Sequence, residues 1–243
     1  MSIVQIRRWL REAESVVVIT GAGISAESGI PVFRGAGGLW RKFRAEELAT
    51  PQAFARDPKL VWEWYNWRRE AIAVTTPNAG HRALAAIEAE SDDFTLVTQN
   101  IDGLHDRAGS RNILKLHGDI WDTVCTVCGQ YGENREVPLA TLPPPCVCRP
   151  EAVLRPAVVW FGEALPFTVW EKAENAVKRA ELLLLVGTSA VVYPASGLIA
   201  IGMRNGARTV EINPQMTPVS DVVDLHMAGN AAEILPFLVG ARG

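Results

Sequence analysis

Three groups of residues in this sequence have types and spacings that could do chemistry. The first is Cys125-x2-Cys128, then 17 residues (129–145), then Cys146-x-Cys148, with no cysteine elsewhere. Two close thiolate pairs on two turns make a closed tetrahedral zinc site, and four thiolates leave the metal no open position, so its role is structural. In a reducing compartment such a cluster is a metal site rather than a disulfide framework. The second pair is tighter than C-x-x-C, so its turn must differ from the first. The next group is the turn Gly21-Ala22-Gly23-Ile24-Ser25-Ala26, a G-x-G-x-x-G/A pattern directly after an apolar run. Glycine there lets backbone approach a pyrophosphate, and a following helix offers free N–H groups and a positive dipole end; an ordinary tight turn has the same composition. The acidic residue that a dehydrogenase places about 20 residues further on is missing, since Arg41 and Lys42 stand there. The third group is polar: Gln99, Asn100 and Asp102 after the run FTLVT, and His117 before Gly118. Taken singly, these are strand-end caps and a turn histidine.

The elements that must position these groups are legible from the pattern. Ser15–Thr20, Phe94–Asn100, Arg111–Leu116, Glu181–Val186 and Thr209–Ile212 read as buried strands, and Ile3, Ile6, Leu10 and Ala13 fall at helical spacing. Further helices are expected over His81–Glu90, Trp170–Arg179, Ala195–Asn205 and Ala231–Val239, and the Trp-, Arg- and Glu-rich segment 35–80 reads as helical with a break at Thr50–Pro51. Buried strands alternating with helices predict an α/β fold, a Rossmann-like parallel sheet with helices on both faces. Segments 1–34, 81–118 and 153–243 supply that unit, 35–80 a helical insertion, and 119–152, with its cysteines and Pro143–Pro145, a small zinc-binding module. The formal net charge of -3 argues against a nucleic-acid binder, which usually carries a basic surface. The longest apolar runs, Val16–Ile19 and Leu182–Val186, are far too short to cross a bilayer. With no signal-like N-terminus, the expectation is a cytoplasmic protein without membrane contact.

Several segments together resemble the sirtuin family. Gly21 to Pro31 followed by Phe33-Arg34-Gly35 is similar to its NAD-binding signature, with Val32 departing from the Asp or Thr of many members. Thr98-Gln99-Asn100-Ile101-Asp102-Gly103-Leu104-His105 is similar to the nicotinamide-side motif, and Leu116-His117-Gly118 to the catalytic histidine motif. Val158-Val159-Trp160-Phe161-Gly162-Glu163 resembles the substrate-binding strand, while Gly187-Thr188-Ser189 and Glu211-Ile212-Asn213 resemble the distal NAD contacts. The match runs in order over nearly the whole chain.

The resemblance implies an NAD-dependent protein-lysine deacylase. The acyl-lysine carbonyl oxygen attacks the nicotinamide ribose, nicotinamide leaves, and the acyl group passes to the ribose to give free lysine and O-acyl-ADP-ribose. His117 is implied as general base, with Asn100 and Asp102 holding ribose and carboxamide. Gly21, Ala22, Gly23, Ser25, Ala26, Glu27, Phe33, Arg34, Trp40, Gln99 and Ile101 are implied as NAD contacts. Gly187, Thr188, Ser189, Asn213, Pro214, Gln215 and Ala231 are implied at the distal end, with Glu211 beside them. Val159, Trp160, Phe161 and Gly162 are implied to add the substrate peptide as an extra strand. The partners are therefore acyl-lysine proteins or peptides, and family habit favours a monomer.

In Trp64-Tyr65-Asn66-Trp67-Arg68, Tyr65 and Arg68 lie three apart and share a helix face. A guanidinium beside a phenol suits a carboxylate; an arginine stacked on aromatic neighbours at a helix surface is the competing expectation. The pair resembles the Tyr-x-x-Arg signature of class III, desuccinylase-type sirtuins, and Ala45 matches a small residue that widens the same pocket. Succinyl and malonyl groups are thus expected beside acetyl. The alternatives are an ADP-ribosyltransferase or NAD hydrolase on the same scaffold, or a non-catalytic NAD-sensing module.

Overall fold

The computed structural model describes residues 2–33, 38–39 and 44–241, and for Ser2, Ala45 and Glu46 it describes backbone only. Arg34, Trp40 and the side chain of Ala45, three of the expected site groups, lie outside the described residues.

Six parallel strands form the main sheet: β1 (Ser15–Thr20), β2 (Asp93–Thr98), β3 (Ile113–Lys115), β7 (Leu182–Val186), β8 (Arg208–Asn213) and β9 (Leu225–Ala228). Their order is β3-β2-β1-β7-β8-β9. β1 is an uninterrupted buried run paired on both sides, Val16 to Phe94 and to Leu182. That environment explains why its sequence is continuously apolar rather than alternating. Side chains of alternating parity feed two cores. Val16 and Val18 pack with Ile6, Leu10 and Leu84 from helices α1 (Ser2–Glu12) and α5 (Ala79–Ala89). Val17 and Ile19 pack on the other face with Ala173, Val177 and Leu198 from α7 (Phe167–Arg179) and α8 (Gly197–Arg204). Helices therefore cover both faces, as the strand pattern predicts.

The chain moves outward from β1 to β2 and β3 on one side, and from β7 to β8 and β9 on the other. Between β1 and β7 the strand order reverses, and the carboxyl ends of those strands open a crevice. At its floor the turn after β1 meets the turn after β7. A Cβ on Gly23 would lie 2.7 Å from Gly187 Cα, so only glycine permits this approach. The helix that the motif suggests follows as a 3-10 helix over Ala22–Ser28.

A second, three-stranded antiparallel sheet has the order β5-β4-β6, with β4 (Gly118–Cys125), β5 (Tyr131–Glu133) and β6 (Leu154–Val158). The strand β6, from the start of the segment 153–243, thus belongs to this small sheet, and ends at Val158. Helices α2 (Ala45–Leu48), α3 (Pro51–Arg56) and α4 (Pro58–Ala73) pack against it. Thr50 caps α3 by accepting from Ala53 N–H, which explains the expected break at Thr50–Pro51. Val61, Trp62, Tyr65 and Ile72 of α4 share one core with Ile120, Trp121 and Val158 of the sheet. Short helices α6 (Leu104–Ala108) and α9 (Ala231–Ile234) follow β2 and β9; neither α6 nor β9 is expected from sequence. No helix among the described residues is long and apolar enough to cross a membrane.

Candidate active site

The crevice is a cleft of about 510 Å³ lined by the strand-end loops of the main sheet and by the α4–β6 side of the smaller unit. Gly21, Gly23, Gln99, Asn100, His117 and Thr188 all line it, so the separated polar segments of the sequence converge in space. The N–H groups of Gly21 and Gly23 are already donated to the carbonyls of Val186 and Gly187. These glycines therefore bring two loops together, and Ala22, first in the 3-10 turn, presents an N–H with no intrahelical acceptor.

His117 is half-buried, and its Nδ1 lies 2.9 Å from the carbonyl oxygen of Gln99. A carbonyl only accepts, so Nδ1 carries the proton and Nε2 keeps a free lone pair. Burial holds its pKa below the ordinary histidine value, against the upward pull of the Gln99 contact. A neutral imidazole with an available Nε2 is suited to take a proton. Gly118, at φ 76°, supplies the left-handed turn after it.

Asn100 and Asp102 are held rather than free. Asn100 Nδ2 donates to the Gly21 carbonyl at 3.1 Å and to Ser25 Oγ at 3.3 Å. Asp102 is buried; Oδ2 accepts from Ser25 Oγ at 2.8 Å and Oδ1 from Leu104 N–H at 2.9 Å. Burial raises its pKa despite those bonds. His81 stands behind this cluster. Its Nδ1 accepts from Asn78 N–H at 3.4 Å, so its Nε2 carries the proton and faces Ser25 Oγ at 3.3 Å. Asp102, Ser25, Phe33, Arg68 and Ile101 line a small side cavity next to the cleft.

Arg68 is 6% exposed and lines both spaces. Its guanidinium lies over the rings of Phe33, Trp64 and Tyr65, at 4.8, 4.9 and 5.8 Å from their centroids. The aromatic stacking expected of a surface arginine is present, but the side chain is buried. Among the described residues no carboxylate lies within salt-bridge distance of it. Burial lowers its pKa, offset by the Tyr65 hydroxyl and Asp102; a guanidinium nonetheless stays charged. Tyr65 is also buried, which pushes its pKa up to about 12, so the phenol keeps its proton. Its oxygen accepts from Trp160 Nε1 at 2.9 Å.

At the edge of β6 the backbone is largely occupied. Val159 N–H donates to the His117 carbonyl, Trp160 N–H to Glu163 Oε2, and Phe161 N–H to the Ala49 carbonyl. The Trp160 carbonyl in turn accepts from Glu163 N–H, so an added strand would pair with part of this edge.

The four cysteine sulfurs lie within 4.8 Å of one another. Cys125 Sγ is 3.7 Å from Cys148 Sγ, and Cys128 Sγ is 3.9 Å from Cys146 Sγ. A tetrahedron with arms of about 2.3 Å has edges of about 3.8 Å, close to these two distances, so the donor set fits zinc. The N–H groups of Val127 and Cys128 point at Cys125 Sγ, as suits a thiolate. The site is closed and belongs to the small unit, outside the cleft lining.

A model of the Sir2 family matches residues 21–194. This chain belongs to the Sir2 family. The Sir2 chain is 50% identical over 218 residues to the NAD-dependent protein deacylase of Aquifex aeolicus, covering 90% of itself and 91% of that protein. It is 49% identical over 231 residues to NAD-dependent protein deacylase 2 of Pyrobaculum aerophilum, covering 95% and 92%. Among solved structures, a mutant Sir2 homologue in complex with ADP-ribose superposes with a TM-score of 0.94 at 44% identity, covering 98% of this chain and 95% of that one. A Sir2 complex with a p53 peptide and NAD+ gives 0.87 at 31% identity, covering 97% and 96%.

Within this Sir2 chain several sequence expectations need adjustment. Glu211 does not face the cleft: it is fully buried, and its carboxylate accepts from Thr217 Oγ1, Ser220 Oγ and His226 Nδ1. Asn213, Pro214 and Gln215 do line the cleft, and Asn213 Nδ2 donates to the Thr188 carbonyl. Ala231 is buried behind Asn230, which is the residue at the cleft wall. Glu27 is exposed and accepts from Ala232 N–H at 3.0 Å, while Ala26 and Ser189 reach the cleft. Val192–Pro194 and Met216–Pro218 also line it; as loop residues without periodicity, they carry no sequence signal. His81 reads only as a helix start from sequence.

Proposed function

We propose that this Sir2-family chain is an NAD-dependent protein-lysine deacylase whose acyl pocket takes acidic acyl groups, succinyl and malonyl, alongside acetyl. The observation that carries the acidic preference is Arg68. A buried charge is costly unless it is paired, and this guanidinium faces an open cleft with aromatic packing around it. A ligand carboxylate supplies the missing partner, with two charge-assisted bonds available from arginine and one from Tyr65.

NAD as co-substrate supplies the acyl acceptor and the nicotinamide leaving group. The strand-end loops around Gly21–Gly23 and Gly187–Ser189, at the reversal of strand order, are where a dinucleotide would lie, with Asn213 to Gln215 at the adenosine end. Asn100 and Asp102, braced by Ser25, orient the nicotinamide half. Phe33 at the cleft wall excludes water from the reacting carbon. His117 accepts a ribose hydroxyl proton at Nε2 while Gln99 holds Nδ1–H. The peptide runs along Val159–Gly162 and pairs with the backbone there as an added strand. The names of the relatives and the bound ADP-ribose, NAD and peptide of the structural neighbours support the activity. The four clustered cysteines suit zinc, and a cytoplasmic setting would keep such thiols reduced.

The test is Arg68→Met with matched succinyl- and acetyl-lysine peptides. The ratio of succinyl to acetyl kcat/KM should fall by about a hundredfold, the scale of two lost charge-assisted bonds. An unchanged ratio would reject the acidic pocket.

A further inference from the structure

We infer that Trp160 is a specificity-determining positioning residue: its indole N–H fills the acceptor side of the Tyr65 hydroxyl and commits the phenol proton to the carboxylate of an acidic acyl group. This rests on the acidic-pocket proposal and assigns a further part to it.

An indole nitrogen can only donate. At 2.9 Å from Trp160 Nε1, the Tyr65 oxygen must be the acceptor. A phenol proton lies near the ring plane and has two in-plane directions. The Trp160 N–H takes one, so the proton takes the other. Among the described residues, the Tyr65 oxygen makes that accepted bond and no other, so its proton remains available to a ligand in the cleft that both residues line. Arg68, one turn along the same helix, faces the same space.

Trp160 is fixed before any ligand arrives. The Arg155 guanidinium lies 3.5 Å from the centroid of its indole, and Phe54 packs on it at 5.3 Å between ring centroids. Arg155 also forks onto Glu163 at 2.6 and 2.9 Å, and Glu163 accepts the Trp160 backbone N–H at 2.8 Å. Backbone and ring are thus held by one ion pair. An acetyl group gains nothing from an oriented phenol proton at the carboxylate position, whereas a succinyl group gains a charge-assisted bond without the cost of ordering its donor.

The experiment compares wild type with W160F, Y65F, the double variant and R68M, using the zinc-loaded protein, NAD, and succinyl- and acetyl-lysine peptides of one sequence. W160F keeps a ring for Arg155 and Phe54 and removes the N–H. The expected result is a fall of about tenfold in the succinyl-to-acetyl ratio of kcat/KM in W160F, carried by KM for the succinyl peptide. Y65F should show the same fall, and the double variant no further fall, because both changes remove one bond. A wild-type ratio in W160F, or a double variant whose fall is the product of the two, overturns the inference. Should W160F not fold, Y65F decides, since an unchanged ratio there removes the phenol donor. R68M separates the two claims: a lost ratio in R68M with an intact one in W160F rejects the part played by Trp160 alone, and an unchanged ratio in R68M rejects the acidic pocket itself.

Discussion

The proton bookkeeping of the cleft turns on His117. With Nδ1–H committed to Gln99 and a pKa lowered by burial, the imidazole is neutral and basic at Nε2 near neutral pH. His117→Ala should reduce turnover by at least a thousandfold while calorimetry still detects NAD binding; turnover within tenfold of wild type would contradict the base assignment. Protonation abolishes a base, so kcat/KM should hold steady at neutral pH and fall only as pH drops below about 6.5. A profile already falling at pH 7.5 with decreasing pH would place the base elsewhere. At this scale much of the site is legible in the sequence, because cysteine spacing, a glycine turn and Leu116-His117-Gly118 are local patterns. Glu211 is not legible: its position at a strand end suggests a ribose contact, and only the fold shows that Thr217, Ser220 and His226 consume its carboxylate. Nor does sequence show that Trp160 reaches Tyr65 across 95 positions.

Among the elements, the loop after β1 and the loop after β7 function as one piece because Gly23 sits against Gly187. An alanine there would place its Cβ 2.7 Å from Gly187 Cα, closer than backbone tolerates. Gly23→Ala should lower Tm by several degrees, the consequence of about 1–3 kcal/mol of overpacking, and raise KM for NAD about tenfold or more. Wild-type values for both in G23A would show that the loops are not coupled. Long buried strands such as β1 and β7 are evident from sequence because both faces are apolar. β9 is not, since Leu225–Ala228 is only partly buried at the sheet edge and carries no continuous apolar run. The sheet that β6 joins is fixed by pairing with β4, a long-range choice that local pattern does not encode.

For the whole molecule, the small unit and the α2–α4 helices share a single core that includes Tyr65, Trp160 and Val158. Stability supplied by zinc at the four cysteines should therefore reach the acyl pocket. Chelation should remove about one zinc per chain, lower Tm, and reduce deacylation, all restored by added zinc; unchanged Tm after complete zinc loss would contradict a structural role. His81 and His105 are buried neutral, each with its pKa lowered to about 3 by desolvation. Their contribution is fully present above the unfolded value of about 6.5 and is lost as pH falls from there toward 3, because the unfolded chain takes up protons that the native state refuses. Tm should fall progressively below pH 6.5, less steeply in a His81→Asn variant relative to its own neutral-pH value. The most direct test of the central claim is product stoichiometry, by mass spectrometry, from a succinyl-lysine peptide with NAD. Free lysine peptide, nicotinamide and O-succinyl-ADP-ribose should form in equal amounts, with none in the absence of NAD. Nicotinamide released with ADP-ribose or an ADP-ribosylated protein, and no deacylated peptide, would contradict it.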